Sequence, residues 1–197
     1  MSFALGLTGS IGMGKSTTAR MFADEGCALW DADAAVHRLY APGGAAVEPM
    51  RKAFPQAIED GAVSRDALKR IIGKDPDALK TIESIVHPLV AADRAAFRAQ
   101  ARSDIVVFDI PLLFETGGDA AMDAMACVTV PPEVQKQRVM ERGTMTEAQF
   151  EQICAKQMPN DEKCARSDFV IVTDTLDHAR RQVQDVVRQI RAGQNHA

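Results

Sequence analysis

Aromatic residues are scarce in this 197-residue chain. Phe, Trp and Tyr together make up 5% of it, with a single Trp and a single Tyr. Single-strand nucleic-acid binders stack bases on aromatic platforms, and too few aromatics are present for that. An excess of positive charge is also missing. The formal net charge is −4, from 23 Lys and Arg against 27 Asp and Glu. That balance argues against a chain whose main business is gripping duplex nucleic acid, although it leaves room for a local basic site. The four cysteines, Cys27, Cys127, Cys154 and Cys164, form no C-x-x-C pair and match no zinc spacing. Free thiols in a reducing, cytoplasmic setting are the expectation. No apolar run approaches the length of a membrane span, and the first residues lack the basic-then-apolar order of a secretory signal. Neither a membrane partner nor export is expected. No Ser/His/Asp or Cys/His arrangement is visible, and His37, His178 and His196 carry no signal. His87 stands out only because it precedes Pro88 between two helical patterns, where a packed or turn-capping ring competes with a chemical role.

What is present is concentrated near the start. Gly9-Ser10-Ile11-Gly12-Met13-Gly14-Lys15-Ser16 matches G-x-x-x-x-G-K-S/T, the phosphate-binding loop of nucleotide-binding proteins. Its glycines let the backbone wrap an anion in dihedrals that a Cβ forbids. Successive N–H groups then form an anion nest, and the following helix adds the positive end of its dipole. Lys15 can reach the β- and γ-phosphates, and Ser16 can place a hydroxyl on Mg²⁺. The motif needs a strand before it and a helix after it. Phe3 to Leu7 reads as the strand, and Thr17 to Glu25 as the helix, with Ala19, Met21, Phe22 and Ala23 on its apolar positions. A plain glycine turn with an incidental lysine would not need that setting.

Five apolar runs suit buried strands: Ala4–Leu7, Ala28–Trp30, Ile105–Phe108, Ala126–Val130 and Phe169–Val172. Helical patterns lie between them, which implies an α/β fold with a parallel five-stranded sheet covered by helices on both faces, three layers in all. Ligands in such folds bind at the carboxyl ends of the strands. The expected core is 1–33, 103–134 and 166–197. Residues 34–102 are too many for one crossover and read as an inserted, mostly helical lobe. Within it, Ser64 can cap a helix carrying Ala67, Leu68, Ile71 and Ile72. Asp75-Pro76 is a second helix start, and Pro88 is expected to begin another helix. A further helical stretch, 135–165, is expected to form a lid. Pro132-Glu133 opens its first helix, and Thr146 with Gln149 fits a capping box for a second. A last helix from about Thr175 to Arg191 should bury Leu176, Ala179, Val183, Val186 and Ile190, with fraying from 192 onward.

Several polar residues lie where chemistry is expected. Asp31 and Asp33 follow the second strand. If extended geometry persists they face the same way, and one could orient or deprotonate an attacking hydroxyl or hold a metal-bound water. The alternative is a helix cap plus a solvated acid. Asp109 ends the third strand, the place of a Walker-B-type acid that holds Mg²⁺, with a turn-capping aspartate as the alternative. Arg138 and Arg142 are i and i+4 on one helix and can clamp triphosphate oxygens, against the plainer reading of a solvated basic face. Lys163, across the lid, has the same two readings, and Glu115 is a weaker acidic candidate.

Taken in order, these segments resemble the dephospho-coenzyme A kinase family across almost the whole chain. Leu7 to Thr17 looks like the family's phosphate loop, and Asp31-Ala32-Asp33 like its D-x-D segment. Asp66-Ala67-Leu68, Asp75-Pro76 and Ile85-Val86-His87-Pro88-Leu89-Val90 are similar to its helical-lobe signature. Asp109-Ile110-Pro111-Leu112-Leu113-Phe114-Glu115 is similar to D-x-P-L-L-F-E, Gln135/Arg138/Arg142 to Q-x-x-R-x-x-x-R, and Gln157-Met158-Pro159 with Glu162-Lys163 to the lid. The resemblance implies a P-loop kinase that phosphorylates the ribose 3′-hydroxyl of dephospho-CoA with ATP and Mg²⁺. It implies that Gly9, Gly12, Met13, Gly14, Lys15, Ser16 and Thr17 hold ATP and that Ser16 and Asp109 hold the metal. It further implies that Asp33 orients or deprotonates the hydroxyl, that Arg142 with Arg138 stabilises transition-state charge, and that Asp33, His87 and Leu113 lie toward the acceptor. Gly143 stands where the family often has aspartate, Ile71-Ile72-Gly73 replaces a run ending in phenylalanine, and Thr173-Asp174 replaces an asparagine at the adenine end. Another nucleoside-monophosphate or small-molecule kinase would share the loop and the arginines. A GTPase would need N-K-x-D, and Asn160-Asp161-Glu162-Lys163 has the wrong order.

Overall fold

The computed structural model describes residues 2–194. Position 196, and the last part of the stretch expected to fray, lie outside them. The apolar run at the start forms β1 (Phe3–Thr8), buried from Ala4 onward. Helix α1 (Lys15–Asp24) begins two residues earlier than the pattern suggests, because Gly14 takes a left-handed conformation and starts the helix inside the loop itself. Its buried face is Thr18, Ala19, Met21 and Phe22, while Ala23 is exposed. Strand β2 is Ala28–Asp31.

The chain divides into two compact units, residues 31–100 and the remainder, against the expected insertion at 34–102. The unit 31–100 contains α2 (Ala32–Tyr40), α3 (Val47–Ala53), β3 (Ile58–Glu59), β4 (Ala62–Val63), α4 (Arg65–Lys74) and α5 (Ala78–Gln100). Its own core gathers Leu39, Tyr40, Val47, Met50, Leu68, Ile82 and Val86. Ser64 caps α4 as expected, accepting from the Ala67 N–H at 3.2 Å. Two features differ from the sequence reading. The strands β3 and β4 form a small antiparallel hairpin around Asp60-Gly61, both at positive φ, which is the Asp-Gly turn chemistry of a tight hairpin. Pro88 does not start a helix: α5 runs 23 residues straight through it. The 3.6-residue apolar period continues across Pro88 from Ile82, Ile85 and Val86 to Leu89 and Val90, and packing of that face outweighs one lost backbone hydrogen bond.

The second unit resumes with β5 (Ile105–Asp109), β6 (Ala124–Thr129), α6 (Pro132–Glu141), α7 (Glu147–Lys156), α8 (Asn160–Ala165), β7 (Phe169–Val172) and α9 (Leu176–Gln194). The five-stranded sheet has the order β2-β5-β1-β6-β7. The ladders of β1 with β5, β1 with β6 and β6 with β7 are parallel. β6 starts two residues before the expected Ala126 because Asp123 pins it to β1: its carboxylate accepts from the Ala4 N–H at 2.7 Å and its own N–H donates to the Ala4 carbonyl. One face of the sheet packs Leu5, Leu7, Ile105, Val107 and Val128 against α1 and α9. Helix α9 contributes Ala179, Val183, Val186, Val187 and Ile190; Leu176, expected in that face, is 67% exposed because it sits at the helix's first position, ahead of the sheet. The other face carries α8 and the Trp30–Phe108 ring pair, 5.9 Å apart. The register sets Leu7 opposite Asp109 and Thr8 opposite Cys127, so β1, β5 and β6 deliver their carboxyl ends to one edge.

Candidate active site

The phosphate-loop motif lies at that edge. Gly12 has φ +78° and Gly14 φ +89°. A Cβ on Gly12 would come within 2.6 Å of Val139 Cγ2 and 3.0 Å of the Gln135 carbonyl, and one on Gly14 within 2.9 Å of Thr173 Oγ1. Both positions therefore need glycine for conformation and for space. Side chains from later in the chain hold the loop from outside. Gln135 Nε2 donates to the Ile11 carbonyl at 2.7 Å, and Thr173 Oγ1 to the Met13 carbonyl at 2.6 Å. Asn160 Oδ1 accepts from the Ser10 N–H at 2.9 Å, and Met13 Sδ from the Val130 N–H at 3.3 Å. The first two contacts draw the Ile11 and Met13 carbonyls outward. The first-turn amides of α1 have no partner within the helix, so they and the dipole face an incoming anion. The Ser10 amide is engaged by Asn160 and belongs to the loop's anchoring instead.

Lys15 is ion-paired with Asp109 through Oδ1. Asp109, at the end of β5, is 3% exposed, and Lys15 is 15% exposed. Ser16 and Thr17 are exposed in the first turn of α1. A hydroxyl and a carboxylate are hard oxygen donors of the kind Mg²⁺ prefers, and Mg²⁺ is normally held by one or two carboxylates plus substrate phosphates. No group of three or more His, Cys, Asp or Glu suited to a metal occurs among the described residues, so a bound Mg²⁺ would draw its other ligands from phosphate and water. The donor set fits that ion.

The arginines do not act as a pair. Arg138 turns to the end of β7, donating from NH2 to the Thr173 carbonyl at 2.6 Å and from NH1 to Thr173 Oγ1 at 3.2 Å. Arg142 follows the last turn of α6 as its exposed C-cap, next to Gly143 at φ +63°. Lys163, expected as a lid cation, is completely buried. Its Nζ donates to the Pro111 carbonyl at 3.0 Å and pairs with Glu115 Oε1 at 2.9 Å. Glu115 also accepts from the Met158 N–H at 3.0 Å. Burial pushes the Glu115 carboxyl up, but the hydrogen bond from Lys163 and those from backbone amides outweigh it and hold the group below its usual range. This ionic tie fixes α8 and the D-x-P-L-L-F-E turn together. Leu113 is fully buried against Gly6 and offers no exposed surface.

In the unit 31–100, Asp31 is the N-cap of α2, its Oδ1 accepting from the Ala34 N–H at 2.7 Å. Helical geometry therefore begins at Ala32, and the two aspartates do not share an extended face; Asp31 takes the capping role. Asp33 is exposed in the first turn of α2, where its charge also complements the helix dipole. His87 is exposed on α5.

Three anchoring residues escaped the sequence reading as such: Thr173, Asn160 and the buried form of Lys163. Only Gln135 was signalled, through its place before the two arginines. No local pattern marks Thr173 or Asn160, because each matters through a partner about 150 residues away.

The family model for dephospho-CoA kinase matches residues 3–177. A dephospho-CoA kinase of Ruegeria pomeroyi is 80% identical over 197 residues, covering 100% of both chains. One from Cereibacter sphaeroides is 60% identical, covering 96% of each. The crystal structure of a Thermus thermophilus protein superposes with a TM-score of 0.85 at 30% identity, covering 95% of this chain and 97% of that one. A loop built to cup phosphates, an acid at the end of the neighbouring strand and a match of this extent agree, and the chain belongs to the dephospho-CoA kinase family.

Proposed function

We propose that the chain transfers the γ-phosphoryl group of ATP to the ribose 3′-hydroxyl of dephospho-CoA, giving CoA and ADP, with Mg²⁺. The observation that carries the reading is the family match over residues 3–177 joined to a formed phosphate loop whose carbonyls are tied back by Gln135 and Thr173. Phosphoryl transfer depends on positioning and electrostatics more than on covalent chemistry, and the loop supplies both.

In this reading the amides of Gly12, Gly14, Lys15, Ser16 and Thr17 hold the triphosphate, while the Met13 N–H closes a turn onto the Ser10 carbonyl at 3.2 Å. Lys15 leaves Asp109 in part and turns its ammonium to the β- and γ-oxygens. Ser16 and Asp109 would hold Mg²⁺, which supplies charge neutralisation for the transferring group when bound. Asp33 orients the 3′-hydroxyl and accepts its proton. Supporting that role are its exposure and its position two residues after the end of β2. Arg142, free of ion pairs and hydrogen bonds from its side chain among the described residues, is the better of the two arginines for meeting transition-state charge. Arg138 is already committed to Thr173 and acts by holding the loop's edge. Because Asn160 and Lys163 fasten α8 to the sheet, lid movement is confined to α7 and the flanking turns, with Gly143 as one hinge.

The test is ADP release measured with dephospho-CoA, AMP, CMP, shikimate and gluconate as acceptors, with and without Mg²⁺, and CoA identified by mass. Turnover confined to dephospho-CoA is expected. Turnover with another acceptor and none with dephospho-CoA would overturn the assignment.

A further inference from the structure

Two sulfurs with no part in phosphoryl transfer lie side by side beneath the phosphate loop. Cys127 on β6 and Cys164 on α8 have Sγ atoms 3.4 Å apart, 37 residues apart in the chain. Cys127 is fully buried and Cys164 is partly open. A disulfide needs about 2.05 Å, so some 1.4 Å of closure joins them. Cys27 belongs to the core on the opposite face of the sheet, and Cys154 lies on α7.

One side chain couples this pair to the loop. Asn160 stands one helical turn before Cys164. Its Nδ2 is 3.7 Å from Cys164 Sγ, and its Oδ1 is 3.9 Å from Cys127 Sγ. The same amide accepts from the Ser10 N–H and donates to the Val128 carbonyl at 3.1 Å. Asn160 and Cys164 share one turn of α8, so drawing Cys164 onto Cys127 shifts that turn and pulls the Asn160 amide off the Ser10 N–H of the loop. Burial, and then the neighbouring Cys164, pushes the Cys127 thiol up. Its greater exposure makes Cys164 the first to meet an oxidant, and Cys127, 3.4 Å away, is the group in reach to resolve it.

We propose that Cys127 and Cys164 form a reversible disulfide that displaces Asn160 and loosens the phosphate loop. With a peroxide as oxidant, Cys164 sulfur attacks the O–O bond, giving a sulfenic acid and one water. Cys127 sulfur then displaces the hydroxyl: the S–S bond forms, the S–O bond breaks, and the Cys127 proton leaves in a second water. A dithiol reverses the change by exchange.

The full chain is titrated with hydrogen peroxide, alkylated and mapped by peptide mass under non-reducing conditions, while affinity for a fluorescent ATP analogue is followed in parallel. A linked 127–164 peptide pair is expected. Nucleotide affinity should fall about fivefold, the equivalent of one lost hydrogen bond, and return with dithiothreitol. Cys164→Ala should resist the loss, and Cys154→Ala should remain sensitive. Oxidation without the linked pair, or equal sensitivity of Cys164→Ala and wild type, would overturn the disulfide; a linked pair with unchanged affinity would overturn the coupling through Asn160. The mapping does not depend on the acceptor, so the disulfide and the reading of the site as a dephospho-CoA kinase fail separately.

Discussion

Replacing Thr173 by Val removes one hydroxyl and keeps the shape of the side chain. That hydroxyl donates to the Met13 carbonyl at 2.6 Å and accepts from Arg138 NH1 at 3.2 Å. Thr173 is 8% exposed, so water does not easily replace it. Arg138 keeps its 2.6 Å bond to the Thr173 carbonyl and is half-buried, so its NH1 can turn to solvent at little cost. The Met13 carbonyl, in a buried residue, loses a donor. Leaving such a group unpaired costs about 1–3 kcal/mol. For a chain of this size that is a fall in Tm of about 2–4 °C per kcal/mol. The same loss frees the Met13–Gly14 segment of the loop, so KM for ATP should rise about tenfold while KM for dephospho-CoA changes little. Thr173→Ser retains the hydroxyl and should restore KM. Thermal unfolding and steady-state kinetics with each substrate varied make the measurement. A Thr173→Val enzyme with wild-type Tm and wild-type KM for ATP would refute the claim that this bond shapes the loop.

Asp33→Asn should lower kcat by about 10²–10⁴ with KM for ATP nearly unchanged, read by the same kinetics; near-normal turnover would remove Asp33 from the chemistry. Lys15→Ala should abolish useful turnover and also lower Tm, because it removes the cation paired with the buried Asp109 carboxylate. Adding Asp109→Asn to it should recover Tm and leave turnover absent, which separates the two effects. Glu115→Gln breaks the tie to Lys163. The Glu115 carboxyl is held below its ordinary value of about 4.5 in the folded chain, so its stabilisation is present above that pH and lost as pH falls through the depressed value. Unfolding curves should show the wild type ahead of Glu115→Gln at pH 7 and the gap closing as the pH falls below about 4.5.

The strands and the loop were legible because each depends on residues adjacent in the chain. An apolar run of four to six residues makes a buried strand wherever it lies in such a fold, and the glycine spacing of the loop encodes its dihedrals directly. Caps at Ser64 and the Thr146–Gln149 box were legible for the same reason, since donor and acceptor are three residues apart. Pro88 misled because its local cost was weighed without the apolar face that continues through α5. A shared face for Asp31 and Asp33 requires extended backbone past Asp31; β2 ends there and α2 begins at Ala32, which gives the cap and the exposed acid of the alternative reading.

The sequence by itself determined the family, the sheet, the phosphate loop and the candidate chemistry at Lys15, Ser16 and Asp109, since these rest on local patterns of size, polarity and backbone freedom. Only the tertiary structure decided that Lys163 is a buried structural cation, that Arg138 serves Thr173, that Asn160 holds Ser10, and that two thiols meet beneath the loop. Those roles come from partners 35 to 150 residues away in the chain, brought together by packing of the sheet and its helices, and one-dimensional spacing carries no record of them.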